Sequence, residues 1–267
     1  MSPSVHPSAA GVRLRSLQAT LGYRDRVVSS DLTVDIPDRA FTAITGPNAC
    51  GKSTLLRSLV RLLQPQTGQV LFDDRLLHDY RGPELARLLG FLPQEALAPE
   101  GITVQRLVAR GRFPHQTLLS TWSEADEAAV TEAMELAGVT GIADRAVDAL
   151  SGGQRQRVWI AMALAQQTSY LLLDEPTTFL DITHQYELLR LLARLRDAGR
   201  TVVVVLHDIN QASRFADHLI AMRDGGIVAQ GEPREILTAE LMRTVFDFAC
   251  EVVPDPVTGA PMVVAGP

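Results

Sequence analysis

Gly46-Pro47-Asn48-Ala49-Cys50-Gly51-Lys52-Ser53-Thr54 reads as a glycine, four residues and then Gly-Lys-Ser, the spacing of a phosphate-binding loop. An apolar run at 41–45 precedes it, and residues 53–63 follow with apolar positions at 55, 56, 59, 60, 62 and 63, a helical spacing. Strand, glycine loop and helix in that order cradle phosphate: the glycines let backbone N–H groups turn toward the anion, and the helix start adds about half a positive charge. Lys52 would bridge the β- and γ-phosphates as a point charge, and Ser53 would ligate Mg²⁺. All but one of the 25 basic side chains are arginine, and the single lysine is Lys52. A planar guanidinium does not replace a compact ammonium in such a cradle.

Outward from the loop, strand and helix signals alternate. Residues 170–173, 201–206 and 218–222 are short continuous apolar strands, separated by helical patterns at 184–197 and 210–216, which predicts a mostly parallel sheet covered on both faces. Near the start, Val12, Leu14, Leu17, Ala19 and Leu21 nearly alternate and Leu32, Val34 and Ile36 alternate cleanly, the pattern of half-buried antiparallel strands. Residues 103–111 are amphipathic, and Ser123 with Asp126 is a capping box opening a helix at 124–137. The expected fold is α/β: a P-loop NTPase core with a mostly parallel sheet, an N-terminal antiparallel accessory sheet and an inserted helical subdomain. The chain is read as one domain over 1–267, with core and accessory sheet at 1–96 and 160–267 and the helical part at about 97–159. Turn residues between valine pairs at 252–264 predict a closing hairpin.

Composition narrows the function classes. The chain carries 25 basic and 31 acidic side chains for a net charge of −6, so no nucleic-acid partner is expected. Cys50 and Cys250 make no disulfide framework and no zinc-ligand spacing, which suits a reducing cytoplasm. Residues 1–11 have no apolar targeting core, and no apolar run approaches the roughly 20 residues needed to cross a bilayer.

Two further motifs carry chemistry. The strand at 170–173 ends in Asp174 and Glu175, adjacent carboxylates that would repel by about 2 to 3 kcal/mol at ~6 to 7 Å and an effective dielectric of about 20. Mg²⁺ and Lys52 offset that repulsion; Asp174 would order the metal and Glu175 would polarise the attacking water. Leu150-Ser151-Gly152-Gly153-Gln154 opens another helix, with Ser151 a good N-cap and the two glycines baring a second set of backbone donors.

These residues resemble the ABC-transporter ATPases. The resemblance implies a head-to-tail dimer with two sandwiched ATP molecules, in which Ser151, Gly152, Gly153 and Gln154 of one copy close over nucleotide held by residues 46–54 of the other. It further implies that Tyr23 stacks on adenine, that Gln94 contacts Mg²⁺ and relays to the membrane subunit, that Asp181 crosses the dimer interface and that His207 contacts the γ-phosphate. Residues 102–104, 111–115, 174–181 and 255–261 look like the ATP-binding subunits of ferric-siderophore importers, the ferric-enterobactin type in particular. Such subunits sit peripherally on the cytoplasmic face of the membrane, bind integral permease subunits and are served indirectly by an extracytoplasmic siderophore-binding protein. The tract 110–122 would face the permease. Cobalamin or heme import is the alternative cargo. Ala49 and Cys50 depart from the family's more glycine-rich loop, so position 49 must take a backbone that tolerates a Cβ. Cys50 reads as a small packed residue, in a loop whose N–H groups could depress its pKa. Phe179 replaces a smaller residue and bears on dimer packing.

Overall fold

The computed structural model describes residues 11–24, 26–116 and 122–266; the expected tail at 1–11 lies, apart from Gly11, outside them, as do residues 117–121 of the tract at 110–122. In chain order the elements are β1 (Val12–Tyr23), β2 (Arg26–Pro37), β3 (Phe41–Thr45), α1 (Lys52–Leu59), β4 (Thr67–Phe72), β5 (Arg75–Leu76), α2 (Gly82–Leu88) and β6 (Leu89–Leu92). There follow α3 (Val104–Ala109), α4 (Glu124–Leu136), α5 (Gly152–Ala165), β7 (Tyr170–Leu173), α6 (Ile182–Asp197), β8 (Thr201–Val205) and α7 (Ile209–Phe215). The last are β9 (His218–Arg223), β10 (Gly226–Gly231), α8 (Pro233–Ile236), α9 (Ala239–Phe246), β11 (Cys250–Pro254) and β12 (Pro261–Ala265). They form two compact units, one from Met1–Tyr80 with Thr201–Pro267 and the other from Arg81–Arg200.

The strands of the first unit lie in two larger sheets and a closing two-stranded hairpin. Its antiparallel sheet has the order β2-β1-β4-β5 and contains the expected N-terminal strands. The imperfect alternation of β1 has a physical cause: Gln18 takes φ +48 and the register shifts between Ser16 and Ala19, so Leu14 and Ser16 are buried on one phase and Ala19 and Leu21 on the next. Leu17 falls at the shift and is only half-buried. In the other sheet β3 lies between β8 and β9, parallel to both, and β10 is antiparallel to β9. Every residue of β3 and β8 is buried, as the continuous apolar runs require. The hairpin of β11 and β12 forms as expected and is tied to α7, where Asn210 donates to Val263 O at 3.0 Å and accepts from Val263 N at 2.7 Å.

Two helix boundaries differ from expectation. Helix α1 ends at Leu59 rather than 63, because Arg61 takes φ +61 and the N–H groups of Arg61, Leu62 and Leu63 fold back onto the carbonyls of Ser58 and Arg57. The helix at 103–111 ends at Ala109 and tightens into a 3-10 segment over Arg110–His115. There Gly111 approaches α5 so closely that a Cβ would lie 2.2 Å from Met162 O.

In the second unit α5 packs against α3 and α4, and β6 pairs parallel with β7. A buried ion pair fastens this bundle: Arg112 Nε donates to Asp126 Oδ1 at 2.9 Å and Arg112 Nη1 donates to Ala165 O at 2.8 Å. The guanidinium, together with Ser123, holds the Asp126 carboxyl below its usual range. Removing either partner would strand a buried charge.

Candidate functional site

The loop after β3 is shaped by two glycines. Gly46 has φ +150 and a Cβ there would lie 2.2 Å from Met222 O; Gly51 has φ +105 and a Cβ would lie 2.8 Å from Ser29 Oγ. The loop is pressed against β9 and the turn after it, where Gly225 N donates to Cys50 O at 3.1 Å. Sequence reading missed Ser29, Met222 and Gly225 as the loop's backing, because their contact comes from sheet pairing and not from local spacing. Gly51 is the N-cap of α1 and, having no side chain, supplies no side-chain cap to the helix start. Lys52 is almost wholly buried, and its Nζ donates to Gly46 O at 2.9 Å and to Pro47 O at 2.8 Å. The ammonium therefore folds the loop back on itself, forming a concave nest with one fixed positive charge. Ser53 and Thr54 open the helix behind it, and Asn48 is exposed on the rim.

Ala49 takes φ +61 rather than a backbone that readily tolerates a Cβ: it sits in the left-handed region, which costs roughly 1 to 2 kcal/mol relative to the ordinary helical region. Cys50 is buried, as expected of a packed residue, but its thiol pKa goes up. Burial outweighs the lowering influence of Lys52 and the backbone N–H groups.

Tyr23 ends β1 with a half-exposed ring, its hydroxyl accepting from Arg57 Nη1 of α1 at 3.2 Å, so the unit that holds the loop also presents this aromatic face. His207 is exposed one residue beyond Leu206, whose N–H donates to Ile44 O at 3.1 Å. It thus leaves the sheet beside the strand that feeds the loop.

In the second unit Asp174 is fully buried at the end of β7, its N–H donating to Leu92 O of β6 at 2.9 Å. Glu175 takes φ +51, a left-handed conformation that turns the chain sharply after the strand. Its Oε2 accepts from Gln94 Nε2 at 2.5 Å, so the predicted base and the predicted relay amide are brought together. Gln156 of α5 donates to Pro176 O at 3.1 Å and braces the same turn, a positioning residue that sequence spacing did not single out.

Ser151 caps α5 reciprocally with Gln154: its hydroxyl accepts from Gln154 N at 3.3 Å and its own N–H donates to Gln154 Oε1 at 3.2 Å. Added Cβ atoms at Gly152 and Gly153 would meet only ordinary contacts, 3.5 Å from Phe179 Cβ and 3.4 Å from Phe179 O. Nothing within the unit forbids larger residues there. Phe179 itself is exposed and takes φ +67. Asp181 caps α6, accepting from His184 N at 2.9 Å, with His184 Nδ1 2.8 Å away; these contacts hold its carboxyl below the usual range.

The chain is similar to known proteins. The family described as ABC transporter matches residues 29–178. The chain belongs to the ABC transporter family. As an ABC-type ATP-binding subunit, this chain is an ATPase. It is 57% identical, over 94% of its length and 93% of the other, to the ferric enterobactin transport ATP-binding protein FepC of Escherichia coli strain K12. It is 50% identical, over 92% of its length and 90% of the other, to the probable siderophore transport system ATP-binding protein YusV of Bacillus subtilis strain 168. Among solved structures, the ABC cassette MJ0796 as a post-hydrolysis dimer bound to ADP and Pi matches with TM-score 0.73 and 29% identity, over 82% of this chain and 98% of that one. Among the described residues, no helix of this ABC subunit is long and apolar enough to cross a membrane.

Proposed function

We propose that this ABC ATPase energises import of a ferric siderophore through a membrane permease, working as a dimer of two copies on the cytoplasmic face. The observation that carries the reading is the 57% identity, nearly end to end, with a ferric enterobactin transport subunit. It is supported by a glycine loop folded around Lys52, whose Nζ donates to Gly46 O and Pro47 O. The organisation proposed is one ATPase domain with the helical part at about 97–159 inserted into the core.

Residues 46–54 hold the triphosphate, Lys52 neutralises the β- and γ-oxygens, and Tyr23 stacks on the base. Ser53, Asp174 and Gln94 are hard oxygen donors suited to Mg²⁺, and no group of three or more His, Cys, Asp or Glu among the described residues could hold a metal alone. That donor set fits an ion whose remaining ligands are phosphate and water. Bound there, Mg²⁺ supplies charge neutralisation at the β- and γ-phosphates. Glu175 accepts the proton of the attacking water while Gln94 holds its carboxylate in position, and His207 donates toward the γ-phosphate. Ser151, Gly152, Gly153, Gln154 and Asp181 contact nucleotide across the dimer; glycines that the chain's own packing does not require suit that role, because a Cβ would stand between the backbone donors and the partner's phosphates. Gln94, with the tract 110–122, faces the permease, and an extracytoplasmic binding protein delivers the cargo.

The test is uptake of labelled iron on catecholate and hydroxamate siderophores, with labelled hemin and cobalamin alongside, in cells whose only copy carries Glu175→Gln. Selective loss for one siderophore class is expected. Normal uptake of iron on both siderophore classes with loss of hemin or cobalamin uptake would replace the cargo.

A further inference from the structure

A cleft in the second unit, between the C-terminal end of α4, the middle of α5 and the exposed face of α6, encloses about 320 Å³. Its position follows from helical spacing: His184, Glu187, Leu188, Leu191 and Arg194 of α6 fall on one face, opposite Arg157 and Ile160 of α5. Three arginines line it, Arg157, Arg190 and Arg194. Arg157 Nε is shut off from solvent and has no hydrogen-bond partner. A desolvated guanidinium donor left unmade is costly, and such a group calls for an acceptor. Glu135 and Glu187 also line the cleft, yet neither comes within 4.0 Å of these guanidiniums as an ion pair. Three guanidiniums against two carboxylates leave one positive charge in excess. Retention of an anion would thus depend on directed hydrogen bonds more than on the bulk field.

We propose that this cleft binds a small organic di- or tricarboxylate. Planar guanidinium forks match carboxylates in geometry, and they do so with little reorganisation. The apolar wall of Leu136, Ile160 and Leu188 suits a carbon skeleton and gives nothing to a bare inorganic ion. The volume is at the lower end of small-ligand sites, which limits the ligand to a small metabolite. The cleft is also continuous with the N-terminus of α6, since His184 lines it while its Nδ1 lies 2.8 Å from Asp181. None of these groups belongs to the proposed nucleotide machinery except Asp181, which stands outside the cleft.

Calorimetric titration of the full chain with tricarballylate, without nucleotide or Mg²⁺, tests the assignment. One saturable site is expected, unchanged in Lys52→Ala and weakened about tenfold or more in Arg157→Gln, the loss of a charge-assisted contact. Arg190→Gln alters an exposed side chain and serves where Arg157→Gln melts early; it should weaken binding in the same direction. Absence of saturable binding, equal binding by inorganic sulfate, loss of binding in Lys52→Ala, or indifference to both arginine variants would overturn the proposal.

Discussion

The loop before α1 and the loop before α5 look alike as sequence, each a glycine-bearing turn opening a helix, yet they solve the helix-start problem in opposite ways. Helix α5 satisfies itself through the reciprocal Ser151 and Gln154 bonds. Helix α1 has a glycine N-cap in the left-handed region and no side-chain cap, and its first residue is Lys52, whose side chain is buried. A self-capped helix start is finished without a ligand, whereas an uncapped one with a fixed cation beside it is finished by an anion. In the proposed function, phosphate binding accordingly falls to the first loop within one copy, and the second offers its glycine backbone to the partner's nucleotide.

That contrast can be broken in graded steps. The largest effect is expected from Glu175→Gln, which removes a base from the second unit while leaving the phosphate nest intact. Turnover should fall by about a thousandfold with ATP affinity retained, and a steady-state phosphate-release assay beside a binding titration separates the two. Lys52→Ala should weaken ATP by roughly a hundredfold, since it removes charge-assisted contacts and opens the loop that Nζ ties to Gly46 and Pro47. Fluorescent-nucleotide titration checks it, and undiminished affinity would sink the nest as the binding element. Ser151→Ala should cost about 1 kcal/mol of stability in denaturant unfolding while leaving ATP affinity of the single copy unchanged. The smallest effect is a gain: Ala49→Gly should stabilise the chain by about 0.5 to 1 kcal/mol, because relief of the left-handed strain exceeds the added chain entropy. A loss on equilibrium unfolding would mean the Cβ of Ala49 contributes packing worth more than that strain.

Most of the fold was legible because its signals are local and strong. The strand at 170–173, the capping box at Ser123 and Asp126, and the C-terminal hairpin all form where their patterns place them. The short strands β4, β5 and β10 carry no comparable periodicity, and α9, whose apolar positions are helically spaced but few, is fixed by the core formed by Ala221, Leu237, Met242 and Val245. The candidate residues were legible as types in context: a lone lysine after a glycine loop, two acids after an apolar strand. Their engagement was not. Nothing in spacing indicates that Gln94 donates to Glu175, 81 residues away, or that Gln156 holds Pro176.

The sequence by itself determined the alternation of strands and helices, the glycine loop with its single lysine, and the self-capped helix start, since these depend on contacts within a few residues. Tertiary structure alone decided which neighbours press on Gly46 and Gly51, why the Cys50 thiol is pushed up, and which arginine Nε is buried without a partner. Each of those is a matter of burial or close approach between segments far apart in the chain, and burial is a property of the packed molecule rather than of any stretch of its sequence.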